Sequence, residues 1–176
     1  MPTNTNILMI RHAEKPDDAG DTGLAIAGQE RAQAYVIFFQ NITIGSAPAR
    51  LNYLFAAADS ADSHRPRLTI QPLSDAIGIP IDDKHSDKDY QKVADDILQH
   101  SKYNGSNILI CWHHGEILQL AEALGVPASS LPAKWPGDVF GWLLELNFDA
   151  GGTLTMQPIA SQKLMYDDYG QTPPAA

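Results

Sequence analysis

The sequence has little cysteine, few basic residues and no long apolar run. Its 176 residues include a single cysteine, Cys111, so no disulfide can form within the chain. No stretch approaches the ~20 continuous apolar residues of a membrane span, and the short polar start, Met1–Asn6, lacks the basic and apolar regions of a signal peptide. We therefore expect a cytoplasmic protein that has no membrane partner.

Acidic residues outnumber basic residues. The chain has 12 Lys and Arg against 21 Asp and Glu, which gives a net charge of −9. Such a chain is a poor partner for nucleic acid, and we expect no binding of that kind. An anionic ligand would have to bind in a local group of cations set in a negative field, without long-range steering.

Short apolar runs alternate with helical patterns along the chain. Strands are predicted at residues 7–10, 53–58, 79–81, 107–112, 139–148 and 153–159. Helices are predicted at residues 27–40, 67–77, 88–100 and 115–124. This alternation indicates an α/β three-layer sandwich with a mostly parallel sheet, and the last two strands, separated by Gly151-Gly152, indicate an antiparallel edge.

The chain length fits one domain of ordinary size. We assign residues 1–166 to a single domain and residues 167–176 to a polar, Pro-containing tail. Because terminal polar segments are often poorly ordered, we expect this tail to be frayed.

Histidine and arginine residues follow three of the predicted strands. Arg11-His12 follows the first strand, Arg65 and Arg67 follow the second, and His113-His114 follows the strand at residues 107–112. Ligands of such sheets bind beyond the carboxyl ends of the strands, so these side chains mark the place for a site. Arginine matches phosphate oxygens with a planar fork, and a neutral imidazole can attack phosphorus. The pattern therefore suggests phosphate chemistry.

Each of these residues also has an ordinary structural interpretation. An Arg-His pair after a strand is often only the start of a loop, and His113 and His114 can cap the following helix or face solvent. Arg65 and Arg67 can be surface charges. The joint placement of the residues favours function, with a second imidazole donating to the phosphate oxygens and a carboxylic acid protonating the leaving oxygen.

Three segments resemble motifs of the histidine phosphatase superfamily, the phosphoglycerate-mutase-like proteins. Residues 8–16 are similar to its Arg-His signature after a strand, and residues 23–32 to the stretch that opens its first helix. In residues 63–69 the spacing of an Arg four residues before a Thr selects Arg65 over Arg67. A Trp-x-His-x-x-Ile pattern at residues 112–117 selects His114 over His113.

The resemblance implies a phosphoglycerate-mutase-like fold and a covalent mechanism. His12 would be the nucleophile, and Arg11, Arg65 and His114 would complete the phosphate pocket. Ala13 replaces the commoner Gly of the signature. The candidates for the proton donor are Glu116, Asp83, Asp82 and Glu14. The short chain favours a small phosphatase resembling phosphohistidine phosphatases, which needs no metal or other cofactor.

Alternatives from other classes remain at this stage. A non-catalytic phosphate-binding or interaction domain would keep the pocket without the acid, and a phosphomutase would transfer the phosphoryl group to a second hydroxyl. A metal-dependent hydrolase is disfavoured because adjacent His113 and His114 point in different directions and no His-Glu-x-x-His helix is present. The expected partner is a phosphorylated small molecule or a phosphoprotein.

Overall fold

The secondary structure of the computed structural model follows the predicted alternation. The structure describes residues 1–18, 20–171 and 173. Its strands and helices are, in chain order, β1 (Thr5–Arg11), α1 (Ile26–Gln40), β2 (Thr43–Ile44), β3 (Ala47–Pro48), β4 (Tyr53–Ala56), α2 (Arg65–Ile77), β5 (Ile81–Asp82), α3 (Tyr90–Gln99), β6 (Asn107–Trp112), α4 (Ile117–Ala123), β7 (Trp142–Phe148), β8 (Leu154–Met156) and β9 (Ala160–Ser161). Short 3₁₀ helices lie at Asp87–Asp89, Ser101–Tyr103, Ala128–Ser130 and Tyr166–Gly170.

The main sheet is parallel in its centre and antiparallel at one side, which confirms the predicted fold class. Its strands lie in the order β5-β4-β6-β1-β7-β8, and β9 also pairs with β7. Strands β5, β4, β6 and β1 are parallel, whereas β7 is antiparallel to β1 and to β8. The sequence patterns did not predict the small hairpin of β2 and β3 or the short strand β9.

Helices cover both faces of the sheet. Ile7 and Met9 of β1 pack in the cluster that contains residues of α3 and α4. Leu8 and Ile10 pack in the cluster that contains residues of α1 and α2. Because successive side chains of a strand point to opposite faces, a strand between two helix layers must be apolar at every position. The unbroken apolar run at residues 7–10 therefore reflects the three-layer arrangement.

A buried ion-pair network ties the C-terminal segment to the loop after β1. The guanidinium group of Arg31 in α1 donates to both carboxylate oxygens of Glu14, at 2.7–3.1 Å, and to both of Asp168, at 2.9 and 3.0 Å. Burial alone would lower the pKa of Arg31 and raise that of Asp168. The hydrogen bonds outweigh burial, so the pKa of Arg31 is raised and that of Asp168 is lowered. Both groups are therefore charged and paired.

Asp168 does not behave as part of the frayed tail expected from residue 167. It is 1% exposed and lies in the 3₁₀ helix Tyr166–Gly170. A Cβ atom at Gly141 would collide with the Asp168 carboxylate, so this position requires glycine. The physical reason for the difference is the pairing with Arg31, 137 residues earlier in the chain. The rest of the predicted tail includes residues 172 and 174–176, which lie outside the described residues.

Among the described residues, no helix is both long enough and apolar enough to cross a membrane.

Candidate active site

The candidate site lies where β1 and β6 end side by side. The two strands are parallel, and Arg11 is the register partner of Trp112. The backbone N–H of His12 donates to the carbonyl oxygen of Trp112 at 3.0 Å. The residue directly after each strand is a histidine. The ring centroids of His12 and His113 are 5.1 Å apart in an edge-to-face arrangement.

The imidazole of His12 is buried and held in one tautomer. Its Nδ1 lies 2.7 Å from the carbonyl oxygen of Ala13, which can only accept a hydrogen bond, so Nδ1 carries the proton. Burial lowers the pKa of His12 well below its ordinary value, and the positive charges of Arg11 and Arg65 lower it further. The ring is therefore neutral near pH 7, and its Nε2 has a free lone pair.

One edge of the buried Arg11 guanidinium group has no hydrogen-bond acceptor among the described residues. Its Nη1 donates to the carbonyl oxygens of Pro136, Gly137 and Val139, at 3.2, 2.8 and 2.9 Å. Its Nε is buried without a hydrogen-bond partner, and its Nη2 donates to no residue that the structure describes. The N–H groups of Nε and Nη2 lie on one edge of the guanidinium plane, the fork that binds two oxygens of a phosphate or a carboxylate.

Arg11 stays charged although it is buried. Burial lowers its pKa to about 10, and the negative charges of Glu14 and Asp138 partly offset this effect. The ring of Phe140 covers one face of the guanidinium group, with the Arg11 Cζ 3.9 Å from the ring centroid. The same ring lies 6.2 Å from the His12 ring, so Phe140 forms a wall of the site.

Arg65 and Arg67 lie in different environments. The guanidinium group of Arg65 donates to the carbonyl oxygens of Asp21 and Gly23, at 2.7 and 3.0 Å, and to Ser63 Oγ at 3.1 Å. It therefore fixes the loop between β1 and α1, and its charge acts on the pKa of His12. Arg67 is instead paired with Asp59 at 2.6 Å.

The ring of His113 lies beside that of His12, whereas the sequence pattern selected His114. His113 is half-buried, and burial lowers its pKa to about 4, while Asp87 raises it and Arg65 lowers it. His114 is more exposed than His113. The part of its side chain that is buried lowers its pKa, and the charges of Arg11 and Lys15 lower it further. The reason for the difference is the strand register, which makes the residue directly after Trp112 the neighbour of His12.

Each carboxylate predicted as a proton donor has a cation nearby. Glu14 is engaged by Arg31 at 2.7 Å. Asp82 is paired with Lys84 at 2.7 Å, and Asp83 lies 3.9 Å from Arg67 Nε. Glu116 lies 3.5 Å from the exposed Lys88 Nζ.

Asp87 is the carboxylate that acts on the pKa of His113, and it was not among the carboxylates predicted as proton donors. Its negative charge is the largest effect that raises the pKa of His113. Its backbone is fixed at the end of β6, because Trp112 Nε1 donates to the Asp87 carbonyl oxygen at 3.1 Å. Asp87 is partly exposed. No sequence signal separated it from the other acidic residues of this loop.

Within residues 1–18, 20–171 and 173, no group of three or more His, Cys, Asp or Glu side chains is arranged to hold a metal ion.

Comparison with known proteins supports the fold. No protein-family model matches the sequence, and a search of curated proteins gave no match.

A solved structure named as phosphohistidine phosphatase SixA of Agrobacterium tumefaciens is 20% identical, with a TM-score of 0.56 over 90% of this chain and 98% of the other. A mycobacterial glucosyl-3-phosphoglycerate phosphatase is 13% identical, with a TM-score of 0.60 over 87% of this chain and 97% of the other. Phosphoglycerate mutase of Plasmodium falciparum is 14% identical, with a TM-score of 0.57 over 88% of this chain and 89% of the other. The chain thus has the phosphoglycerate-mutase-like fold.

The lowered pKa values of His12 and His113 predict that both rings stay neutral at about pH 6, where an ordinary imidazole is mostly protonated. Below about pH 6.5 the unfolded chain then binds more protons than the folded chain. The free energy of unfolding should therefore fall as the pH falls toward the pKa values that the two histidines have in the folded protein. Nitrogen NMR of histidine-labelled protein measures the ring state, with His12→Asn and His113→Asn to assign the signals. Imidazolium signals from both rings at this pH would contradict the prediction.

Proposed function

We propose that this protein is a phosphatase that hydrolyses phosphorylated substrates through a phosphohistidine formed on His12. The observation that carries the proposal is that Arg11 Nε and Nη2 lack hydrogen-bond acceptors in the described part of the chain. The neighbouring imidazole of His12 uses its Nδ1 in a hydrogen bond to the Ala13 carbonyl oxygen. A buried donor without an acceptor is costly, and a phosphate oxygen satisfies it. The neutral ring next to it retains the lone pair that a nucleophile requires.

The proposed reaction has two steps. In the first step, Arg11 and Arg65 bind the phosphoryl oxygens, and His12 Nε2 attacks phosphorus. A nitrogen–phosphorus bond forms while the bond to the leaving oxygen or nitrogen breaks, and that atom takes the electron pair and a proton. In the second step, water attacks the phosphohistidine, the nitrogen–phosphorus bond breaks, and phosphate and neutral His12 are regenerated. Catalysis of this kind depends on positioning and on stabilisation of the phosphoryl charge.

The charge distribution supports an anionic substrate. Arg11 and Arg65 are cations, whereas His12 and His113 are neutral before substrate arrives. A bound phosphate dianion favours protonation of a neighbouring imidazole. We assign this role to His113, whose protonated ring would donate to the phosphoryl oxygens as negative charge builds up on them.

The names of solved structures with the same fold support a phosphorylated substrate. Their names cover a phosphohistidine phosphatase, a phosphatase of a glucosylated phosphoglycerate and a phosphoglycerate mutase. On this basis we propose a phosphorylated small molecule or a phosphoprotein as the substrate, and we place the protein in the histidine phosphatase superfamily without a metal in its reaction.

The central test is replacement of the nucleophile. His12→Ala should lower kcat/KM for p-nitrophenyl phosphate by at least about a thousandfold in buffer containing a chelator, because no other group can form the covalent intermediate. Rapid acid-free quenching of the wild-type protein with labelled substrate should yield an acid-labile phosphoprotein that the variant lacks. His100→Ala, which removes a surface histidine 57% exposed, is the matched control. Wild-type turnover by His12→Ala, or phosphate binding without any turnover by the natural sequence, would overturn the proposal.

The two adjacent histidines give a second test. His113→Ala should lower kcat by about a hundredfold, the usual cost of losing one donor to a developing negative charge. His114→Ala should lower it by less than about threefold, because its side chain is exposed. Steady-state kinetics of the two variants, with melting temperatures to compare their stability, measures the difference. A larger loss of kcat in His114→Ala than in His113→Ala would contradict this assignment and support His114, which the sequence pattern selected.

We propose Asp87 as the proton donor. Asp87→Asn should lower kcat for an alkyl phosphate, a poor leaving group, by about a hundredfold, and should affect p-nitrophenyl phosphate much less, because nitrophenolate leaves without a proton. Asp83→Asn is the matched control in the same loop, since its carboxylate lies toward Arg67. Equal losses on both substrates, or a larger loss in the control variant, would rule out this role.

A further inference from the structure

The hydroxyl group of Thr69 connects two parts of the site. Thr69 lies in α2 and is fully buried. Its Oγ1 accepts a hydrogen bond from the backbone N–H of Ala13 at 2.8 Å and donates one to the carbonyl oxygen of Arg65 at 2.7 Å. The first contact joins residues 56 positions apart, so it links the start of α2 to the end of β1.

The Ala13 backbone in turn orients the nucleophile. Its carbonyl oxygen accepts the hydrogen bond from His12 Nδ1 at 2.7 Å. The Ala13 side chain is fully buried, which leaves little room for this segment to shift. The tautomer of an imidazole is set by the hydrogen bond that one of its nitrogens makes. A group that fixes Ala13 therefore acts on which nitrogen of His12 is free.

We propose that Thr69 is a positioning residue for His12. By holding the Ala13 backbone, its hydroxyl keeps the proton on Nδ1 and the lone pair on Nε2, and it fixes the distance between His12 and the start of α2, where Arg65 lies. The kinetic consequence of this inference rests on the proposed function, whereas the state of the His12 ring can be measured independently of any activity.

A structural role alone would give a different result. Ser74 lies in the same helix, is 7% exposed, and donates its hydroxyl to the Ile79 carbonyl oxygen at 2.6 Å. Its removal deletes a buried hydroxyl hydrogen bond of the same kind without touching the strand ends. If Thr69 only stabilised the helix, Thr69→Val and Ser74→Ala would behave alike in stability and in kinetics.

The test compares Thr69→Val, Thr69→Ser and Ser74→Ala. Thr69→Val keeps the shape and removes the hydroxyl, so kcat should fall by about tenfold or more while KM stays within about twofold. Thr69→Ser keeps the hydroxyl and should return kcat to within about threefold of the wild type. In nitrogen NMR, His12 should be the Nδ1–H tautomer in the wild type, in Thr69→Ser and in Ser74→Ala, and should lose this preference in Thr69→Val.

An unchanged His12 tautomer in Thr69→Val, or a kcat no lower than that of Ser74→Ala, would overturn the inference. If Thr69→Val does not fold, Thr69→Ala removes the same hydroxyl without adding a methyl group in its place, and the same two readouts decide. If the wild-type protein hydrolyses no phosphorylated substrate, the proposed function fails. The NMR comparison then still decides whether Thr69 holds the His12 ring.

Discussion

The in-register pairing of β1 with β6 is the constraint on which the site depends. It sets Arg11 opposite Trp112 and thereby brings His12 and His113 together. A slip of one residue would turn every side chain of a strand to the other face. Such a slip would exchange the apolar residues of β1 between the two helix layers, because both faces of this strand are buried. The packing of the core therefore determines which histidine lies beside His12.

The same constraint explains what the sequence could predict and what it could not. Continuous apolar runs predicted the layers, and the polar residues after them located His12, Arg11 and Arg65 at one edge of the sheet. The choice between His113 and His114 depends on register, which no local pattern contains. Asp87 was not singled out, because acidic residues at a helix start are common and only the effect of its charge on the pKa of His113 distinguishes it. Phe140 and Asp168 act through partners more than 100 residues away, which hydrophobic periodicity does not reveal.

Two buried arginines differ in how their charge is compensated. Arg31 has two carboxylates on its guanidinium group, which more than offset its charge. Arg11 has only backbone carbonyl groups and an aromatic face, and in the described part of the chain no carboxylate is hydrogen-bonded to it. A buried cation without a counter-ion is unfavourable, as its lowered pKa reflects. The chain carries a net charge of −9, yet this position is positive, a contrast that supports the proposed binding of an anion.

The network around Arg31 also bears on how the protein is made. A ribosome that adds about 5–20 residues per second reaches Asp168 roughly 7–27 s after Arg31, because 137 residues separate them. During that interval the residues of β1 and α1 have been synthesised, but only one of the two carboxylates that bind the Arg31 guanidinium group is present. The complete network that holds the loop after β1 therefore cannot form until Asp168 has been synthesised.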